Sequence, residues 1–113
     1  MTRPRMLIVD DDAQRLTALR EQYEGQCTIT CVTDACAAYD ALYGGSYDWA
    51  LLDHDLGPGD SGYDVAKFIV ENCVPDKLSV LIHSHNPVGA WNMANVLKDH
   101  GFYVLLAPYK VLT

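Results

Sequence analysis

The sequence contains no uninterrupted apolar run of about eighteen residues, the length that a membrane-spanning helix requires. Positive charge is also scarce, because 8 Lys and Arg residues stand against 15 Asp and Glu residues and the net charge is −7. This negative net charge argues against general nucleic-acid binding. In residues 1–12 the apolar run before the aspartates is too short for the apolar core of a signal peptide. We therefore expect a cytoplasmic protein with no membrane association, which holds any anionic ligand through a local cation.

No CxxC pair occurs among the four cysteines, Cys27, Cys31, Cys36 and Cys73. Three of them lie among apolar or small residues, as buried thiols do. Because disulfides are rare in the cytosol, we expect reduced cysteines with structural roles.

The length of 113 residues and the apolar share of 50% predict one domain spanning residues 1–113. Five apolar runs have the length of strands and lie at 6–9, 29–32, 49–52, 80–82 and 102–107. They are continuous rather than alternating, which is typical of parallel strands covered on both faces. Between them, apolar residues recur with the spacing of amphipathic helices at 16–23, 35–42 and 65–73.

Gly, Pro and Asn mark the helix boundaries. Asn86-Pro87 is typical of a helix start, with Asn at the cap and Pro in the first turn, and Gly101 is typical of its end. Gly44-Gly45 and Val74-Pro75 end the second and third helices. The pattern predicts an α/β fold with one doubly wound parallel sheet, whose strands include residues near 6–10, 49–53, 79–83 and 102–107.

Only six residues follow Ala107, too few for a helix after the fifth strand. One face of the sheet would then lack cover, which favours a surface for a second copy of the chain or for a partner protein. The alternative is that the short tail folds back over that face.

Polar residues cluster where three of the predicted strands end. The groups are Asp10, Asp11 and Asp12; Asp53, His54 and Asp55; and His83, Ser84, His85 and Asn86. Because the carboxyl ends of parallel strands lie at one edge of the sheet, we expect these groups to share a crevice. Neighbouring carboxylates repel one another unless a cation compensates, and Mg²⁺ or Mn²⁺ suits oxygen ligands.

Each group also has a purely structural interpretation. Asp12 is expected to cap the first helix, and Asp55 could belong to a solvated turn that contains Gly57 and Gly59. Asp53 differs, because it follows a buried run directly. Strict strand alternation would direct His83 and His85 to one side and Ser84 to the other, so all three reach the crevice only if the strand has ended before them.

These motifs resemble the receiver domain of two-component response regulators over essentially the whole chain except the last helix. The resemblance implies a flavodoxin-like strand order of 2-1-3-4-5, Mg²⁺ at Asp10 and Asp11, and a phosphoryl group on Asp53. It also implies a metal-binding backbone carbonyl at Asp55 and a switch hydroxyl at Ser84. Receivers carry Lys-Pro after the fifth strand, where this chain has Ala107-Pro108 and a lysine only at Lys110. Without that charge a phosphoaspartate would be poorly stabilised.

The stretches 53–57, 62–64 and 83–89 make the chain similar to a particular receiver offshoot, the cyclic-phosphate-processing receiver domain. This similarity implies a metal site adapted to cyclic phosphate esters, such as a cyclic nucleotide or a cyclic-ended RNA. We assign Asp10, Asp11, Asp53 and Asp55 to the metal; Asp53, His54, His83 and Ser84 to catalysis; and Ser84, His85 and Asn86 to phosphate binding. His54 or His83 would serve as acid or base.

Three functions therefore remain open. The first is a metal-dependent domain that binds or hydrolyses cyclic phosphates, which would make it a cyclic phosphodiesterase. The second is a phosphoacceptor receiver that takes a phosphoryl group from a small phosphodonor on Asp53. The third is a pseudo-receiver that only binds other proteins, against which the retained acidic clusters argue.

Overall fold

Five strands and four helices alternate along residues 3–106, the part of the chain that the computed structural model describes. The strands are β1 (Arg5–Val9), β2 (Thr28–Val32), β3 (Trp49–Leu52), β4 (Ser79–Ile82) and β5 (Val104–Leu106). The helices are α1 (Ala13–Tyr23), α2 (Ala35–Gly44), α3 (Gly62–Asn72) and α4 (Pro87–Asp99). The predicted alternation of strands and helices is thereby confirmed.

The strands form one parallel sheet in the order β2-β1-β3-β4-β5, as the resemblance to receivers implied. Val9 pairs with Leu52 and Leu52 pairs with Ile82, so the three central strands end at the same level. The next residue of each strand is polar: Asp10, Asp53 and His83. The register therefore places these three side chains along one edge of the sheet.

Alternate strand residues bury two separate apolar layers. Leu7 and Val9 of β1 pack in the larger layer with α2, α3 and α4, whereas Met6 and Ile8 pack in the smaller layer with Leu19 of α1. Both layers cover the central strands, in which every residue after the first is buried. Continuous apolar runs are the expected sequence of such strands, because neither face is exposed to water.

The strands β1, β3 and β4 each end one residue earlier than predicted, before Asp10, Asp53 and His83. The backbone N–H of each polar residue still donates one hydrogen bond to a neighbouring strand, over 2.8–3.2 Å. Pairing stops there because the chain turns away towards the next helix. The prediction that the fifth strand reaches Ala107, and those concerning Pro108 and Lys110, lie outside the described residues.

The predicted helix boundaries are confirmed at both ends of α4. Asn86 is the N-cap, its side-chain oxygen accepts from the Gly89 N–H over 2.9 Å, and Pro87 opens the helix. Gly101 follows the C-cap residue His100 with a φ of 88°, a conformation that favours glycine.

The four cysteines are free, as expected from the missing CxxC motif. Of the four helices in residues 3–106, none is both long enough and apolar enough to cross a membrane.

Within the same residues, α1 packs on one face of the sheet and the other helices on the opposite face. Tyr103 and Leu105 are exposed in and beside β5.

The start of α3 lies directly against the chain that leaves β3. The Gly62 N–H donates to the carbonyl oxygen of His54 over 2.8 Å, and a Cβ at Gly62 would lie 2.0 Å from the carbonyl oxygen of Asp53. Ser61 caps this helix in a capping box with Asp64. Only glycine lets the helix approach so closely, and this contact fixes the backbone of Asp53.

We predict that Gly62→Ala lowers the free energy of unfolding by about 2–3 kcal/mol, because the methyl group overlaps the Asp53 backbone. Gly44→Ala is the matched control, since a Cβ there meets nothing within 4 Å in the last turn of α2. That control should lose no stability and could gain up to about 1 kcal/mol. Urea denaturation of both variants tests this, and equal effects would contradict it.

Candidate metal and phosphate site

Three carboxylates meet at the carboxyl edge of the sheet. Asp10 and Asp53 are buried, with 0% and 2% of their surface exposed, whereas Asp11 is exposed. One ligand oxygen from each of the three lies within 4.8 Å of the others. Burying two carboxylates so close together costs free energy unless positive charge compensates for them. The sequence prediction that Asp10, Asp11 and Asp53 meet is confirmed.

Positive charge reaches this cluster from Arg15, in the first turn of α1. Its guanidinium forms a two-pronged contact with Asp10, with Nε to Oδ2 and Nη2 to Oδ1 both at 3.0 Å. Nη2 also lies 3.4 Å from Asp53 Oδ2 and 3.5 Å from Asp11 Oδ1. The sequence analysis missed Arg15, although its spacing from Asp11 and Asp12, i+4 and i+3 at a helix start, could have indicated it.

Asp12 belongs to the helix rather than to the cluster, as predicted. Its Oδ1 accepts the backbone N–H groups of Gln14 and Arg15 over 2.9 and 3.1 Å, which makes it the N-cap of α1. The bond from the Arg15 backbone is the main reason why the pKa of Asp12 is lowered. This cap orients the first turn of α1 and so brings the Arg15 side chain over the carboxylates.

A small cavity of about 260 Å³ opens beside the cluster. Its lining residues are Asp11, Arg15, Asp53, Asp55 and His85. The structure therefore brings Asp55 and His85 to the same cavity as Asp53, one from each of two neighbouring strand exits. The carboxylate of Asp55 is exposed, and its Oδ1 lies 2.9 Å from His54 Nδ1.

His54 lies on the other side of Asp55 and does not line this cavity. Its ring packs over the backbone of Gly89, where an added Cβ would lie 2.5 Å from Cδ2 of the ring. There it contributes to a groove of about 690 Å³ between α3 and α4. The other lining residues of the groove are Ser61, Tyr63, Asn92, Asn95, Val96 and Asp99. His54 thus connects the groove to the cavity through its bond to Asp55.

The residues that follow β4 differ in how deeply they are buried. His83 is fully buried, and burial lowers its pKa, an effect that the negative charge of Asp10 partly opposes. His85 is exposed at the rim of the cavity. Ser84 is half-buried between them, and its Oγ accepts the Asn86 N–H over 3.0 Å. The strand ends at Ile82, so strict alternation no longer governs these side chains.

Asn86 serves the helix rather than the cavity in this structure. Its side-chain oxygen caps α4, and its Nδ2 lies 3.5 Å from His54 Nδ1. One of the first backbone N–H groups of the helix, that of Gly89, is therefore already bound. Asn86 and His54 form a pair next to the site, outside the cavity lined by Asp53.

The donor set of the cluster fits a hard divalent cation. All three groups offer carboxylate oxygens, which Mg²⁺ and Mn²⁺ prefer, and the oxygens lie close enough to share one ion. The exposed side of the cluster opens to the cavity, which leaves room for water or phosphate oxygens as further ligands. The position between the oxygens is also the position of the Arg15 guanidinium.

Comparison with known proteins gives a family and several similar folds. The model of the family described as "Cyclic-phosphate processing Receiver domain" matches residues 5–99. The signal receiver domain of a protein described as a Luxo repressor from Vibrio parahaemolyticus is 28% identical, with a TM-score of 0.70 over 95% of this chain and 78% of that chain. The response regulator TrrA from Thermotoga maritima, solved in complex with Mg(2+)-BeF, is 24% identical. Its TM-score is 0.67 over 79% of this chain and 80% of that chain.

A shorter match concerns a different kind of protein. A segment of 47 residues is 36% identical to part of the cell division protein FtsQ from Actinobacillus pleuropneumoniae serotype 3 (strain JL03). It covers 42% of this chain and 20% of that protein, so the match spans about a fifth of that relative's length.

We predict that Gly89→Ala destabilises the protein through His54, because the added methyl group would overlap the imidazole ring. Gly89→Ala should lower the free energy of unfolding by about 1–2 kcal/mol more in the wild-type background than in a His54→Ala background. A double-mutant cycle by urea denaturation measures this coupling. Additive effects would show that the ring does not pack against Gly89.

We also predict that His83 makes the protein less stable in mild acid. Because its pKa is lowered in the folded state, the unfolded chain takes up the proton first as the pH falls below about 6.5. The free energy of unfolding should therefore decrease on acidification, by up to about 1.4 kcal/mol per pH unit. Denaturation between about pH 7.5 and 5.5 should show this slope in the wild type and in His100→Gln but not in His83→Gln. A slope retained in His83→Gln would refute the assignment.

Proposed function

The chain belongs to the cyclic-phosphate processing receiver domain family, and from this membership we propose that the domain binds cyclic phosphate esters at its acidic cavity and hydrolyses them with a divalent metal ion. The observation that carries the proposal is the group formed by Asp10, Asp11 and Asp53, whose ligand oxygens lie within 4.8 Å of one another beside that cavity. Two of these carboxylates are buried, an arrangement that a solvated acidic turn would not require.

In this proposal Asp10, Asp11 and Asp53 hold Mg²⁺ or Mn²⁺, and Asp55 contributes through its backbone carbonyl. The bound ion supplies positive charge that polarises the phosphoryl oxygens. The His54 ring holds the Asp55 side chain over 2.9 Å and so positions the loop at the cavity, a role that fits its place outside the cavity better than acid-base catalysis does.

Ser84 and His85 are the proposed contacts to the phosphate. The Ser84 oxygen accepts the Asn86 N–H, which leaves its hydroxyl hydrogen to donate to a phosphoryl oxygen. His85 lines the cavity together with Asp53. Asn86 contributes indirectly, because it caps α4 and thereby fixes the backbone that carries both residues.

Hydrolysis requires a water oxygen to form a bond to phosphorus while one ring P–O bond breaks. The proton of the water must go to a base, and the leaving oxygen must receive a proton. We propose His85 as the group that exchanges these protons, because an imidazole ring can both accept and donate a proton and His85 lies at the cavity rim. His83 is fully buried and its pKa is lowered by that burial, so we propose that it stays neutral and does not transfer protons to substrate.

A phosphoacceptor receiver is the second candidate. The position of Asp53, at the exit of β3 and beside the Arg15 guanidinium at 3.4 Å, suits a carboxylate that attacks a phosphodonor such as acetyl phosphate. A third role, binding of a partner protein or of a second copy, would use the sheet face that carries Tyr103 and Leu105. The cytoplasmic location and the single domain of residues 1–113 remain predictions.

We predict that the purified protein with Mg²⁺ or Mn²⁺ opens a cyclic nucleotide or a cyclic-ended RNA to the phosphomonoester. ³¹P NMR follows the loss of the cyclic phosphate signal. Asp53→Asn should lower the rate at least about 100-fold, because it removes a metal-binding carboxylate. Asp60→Asn is the matched control, since Asp60 lies in the same loop but accepts a hydrogen bond from Tyr39, away from the cavity.

The same experiment includes acetyl phosphate as a second substrate. An acyl-phosphate signal that disappears in Asp53→Asn, without loss of any cyclic phosphate, would favour the phosphoacceptor over the hydrolase. If neither substrate reacts with either metal, the proposal of chemistry at this site is wrong and a binding role takes its place.

A further inference from the structure

The guanidinium of Arg15 occupies the space between the three carboxylates that a metal ion would use. Its Nη2 lies 3.0 Å from an oxygen of Asp10, 3.4 Å from one of Asp53 and 3.5 Å from one of Asp11. We propose that Arg15 is a built-in counterion that competes with the divalent ion, so that metal binds only as the guanidinium leaves. This inference rests on the metal site of the proposed function.

Two cations cannot share this position, for reasons of both space and charge. Oxygen ligands hold Mg²⁺ at about 2.0–2.1 Å, so an ion bound to the cluster must lie among the same oxygens that Nη2 now contacts. A guanidinium left there would also repel the ion across a few ångströms in a partly buried setting, where charges interact much more strongly than in water. Displacement of Arg15 removes both conflicts.

Arg15 is placed so that it can move. Its side chain is 31% exposed at the cavity, unlike the buried Asp10 that it pairs with. Its guanidinium also contacts Asp12 Oδ2, at 3.3 Å from Nη1, a half-exposed partner at the helix cap. A shift towards Asp12 would keep one ion pair while it vacates the cluster.

The displaced guanidinium would stay on the cavity wall, which explains why this arrangement suits a phosphate site. The planar donor fork of arginine matches the oxygens of a phosphate group. Metal binding would thus deliver a second positive group to the phosphate. Arg15 would act as a positioning and charge-supplying residue rather than as a fixed structural ion pair.

The test is the affinity of the full chain for Mg²⁺ and Mn²⁺ alone, measured by isothermal titration calorimetry. Arg15→Met should bind each metal at least about tenfold more tightly than the wild type, because the competing charge is gone. Arg20→Met is the matched control: it removes the same charge from an exposed position on the same helix and should leave the affinity within about twofold. Arg15→Lys keeps the charge and should stay close to the wild type.

A second measurement follows the exchange directly and also checks folding. Without metal, Arg15→Met should melt at a lower temperature than the wild type, because Asp10 and Asp53 lose their counterion. Addition of Mg²⁺ should raise the melting temperature of the variant and remove this difference. In the wild type, the Nε–H resonance of Arg15 in ¹⁵N NMR should shift on titration with Mg²⁺, as its bond to Asp10 breaks.

The outcomes separate this inference from the proposed function. Equal metal affinities in the wild type and Arg15→Met would overturn the competition while leaving the metal site intact, and weaker binding by Arg15→Met would show that Arg15 assists the ion. Absence of metal binding in every variant would overturn the inference and the proposed metal-dependent hydrolysis together. Tight binding confined to Arg15→Met would support the competition.

Discussion

The burial of Asp10 and Asp53 at one edge of the sheet is the constraint on which the rest of the site depends. Burying two charged carboxylates side by side costs free energy unless a cation compensates, because each raises the free energy of the other's charge. Arg15 supplies that cation in this structure, with two bonds of 3.0 Å to Asp10 and one of 3.4 Å to Asp53. The Asp12 cap that begins α1 and the register that aligns β1 with β3 both serve this arrangement, since they bring the three groups together.

Close backbone packing decides which side of the site each side chain faces. Gly62 lets α3 touch the backbone of Asp53, and Gly89 leaves space for the His54 ring at the start of α4. As a result, Asp53 and His54, although adjacent in sequence, point into different depressions of the surface. The hydrogen bond between His54 and Asp55 connects the two depressions.

Much of the fold and part of the site could be predicted from the sequence. Apolar runs of strand length and helical spacing gave the alternation of elements, because a doubly covered sheet needs both patterns. Asp10, Asp11 and Asp53 could be predicted to meet, because each follows a strand and parallel strands end at a common edge. Arg15 was not singled out, since its spacing from Asp11 and Asp12 indicates only a local ion pair at a helix start, and its contact with the distant Asp53 depends on the tertiary structure.

The sequence by itself determined the strand exits, the helix caps and the concentration of acidic residues at one edge, because these follow from local patterns along the chain. Only the tertiary structure decided that His83 is buried, that His85 reaches the cavity and that His54 turns away from it. The physical reason is that burial and side-chain direction after a strand ends depend on contacts with distant elements. Once the backbone leaves the ladder at Ile82, the alternation that relates sequence to direction no longer applies.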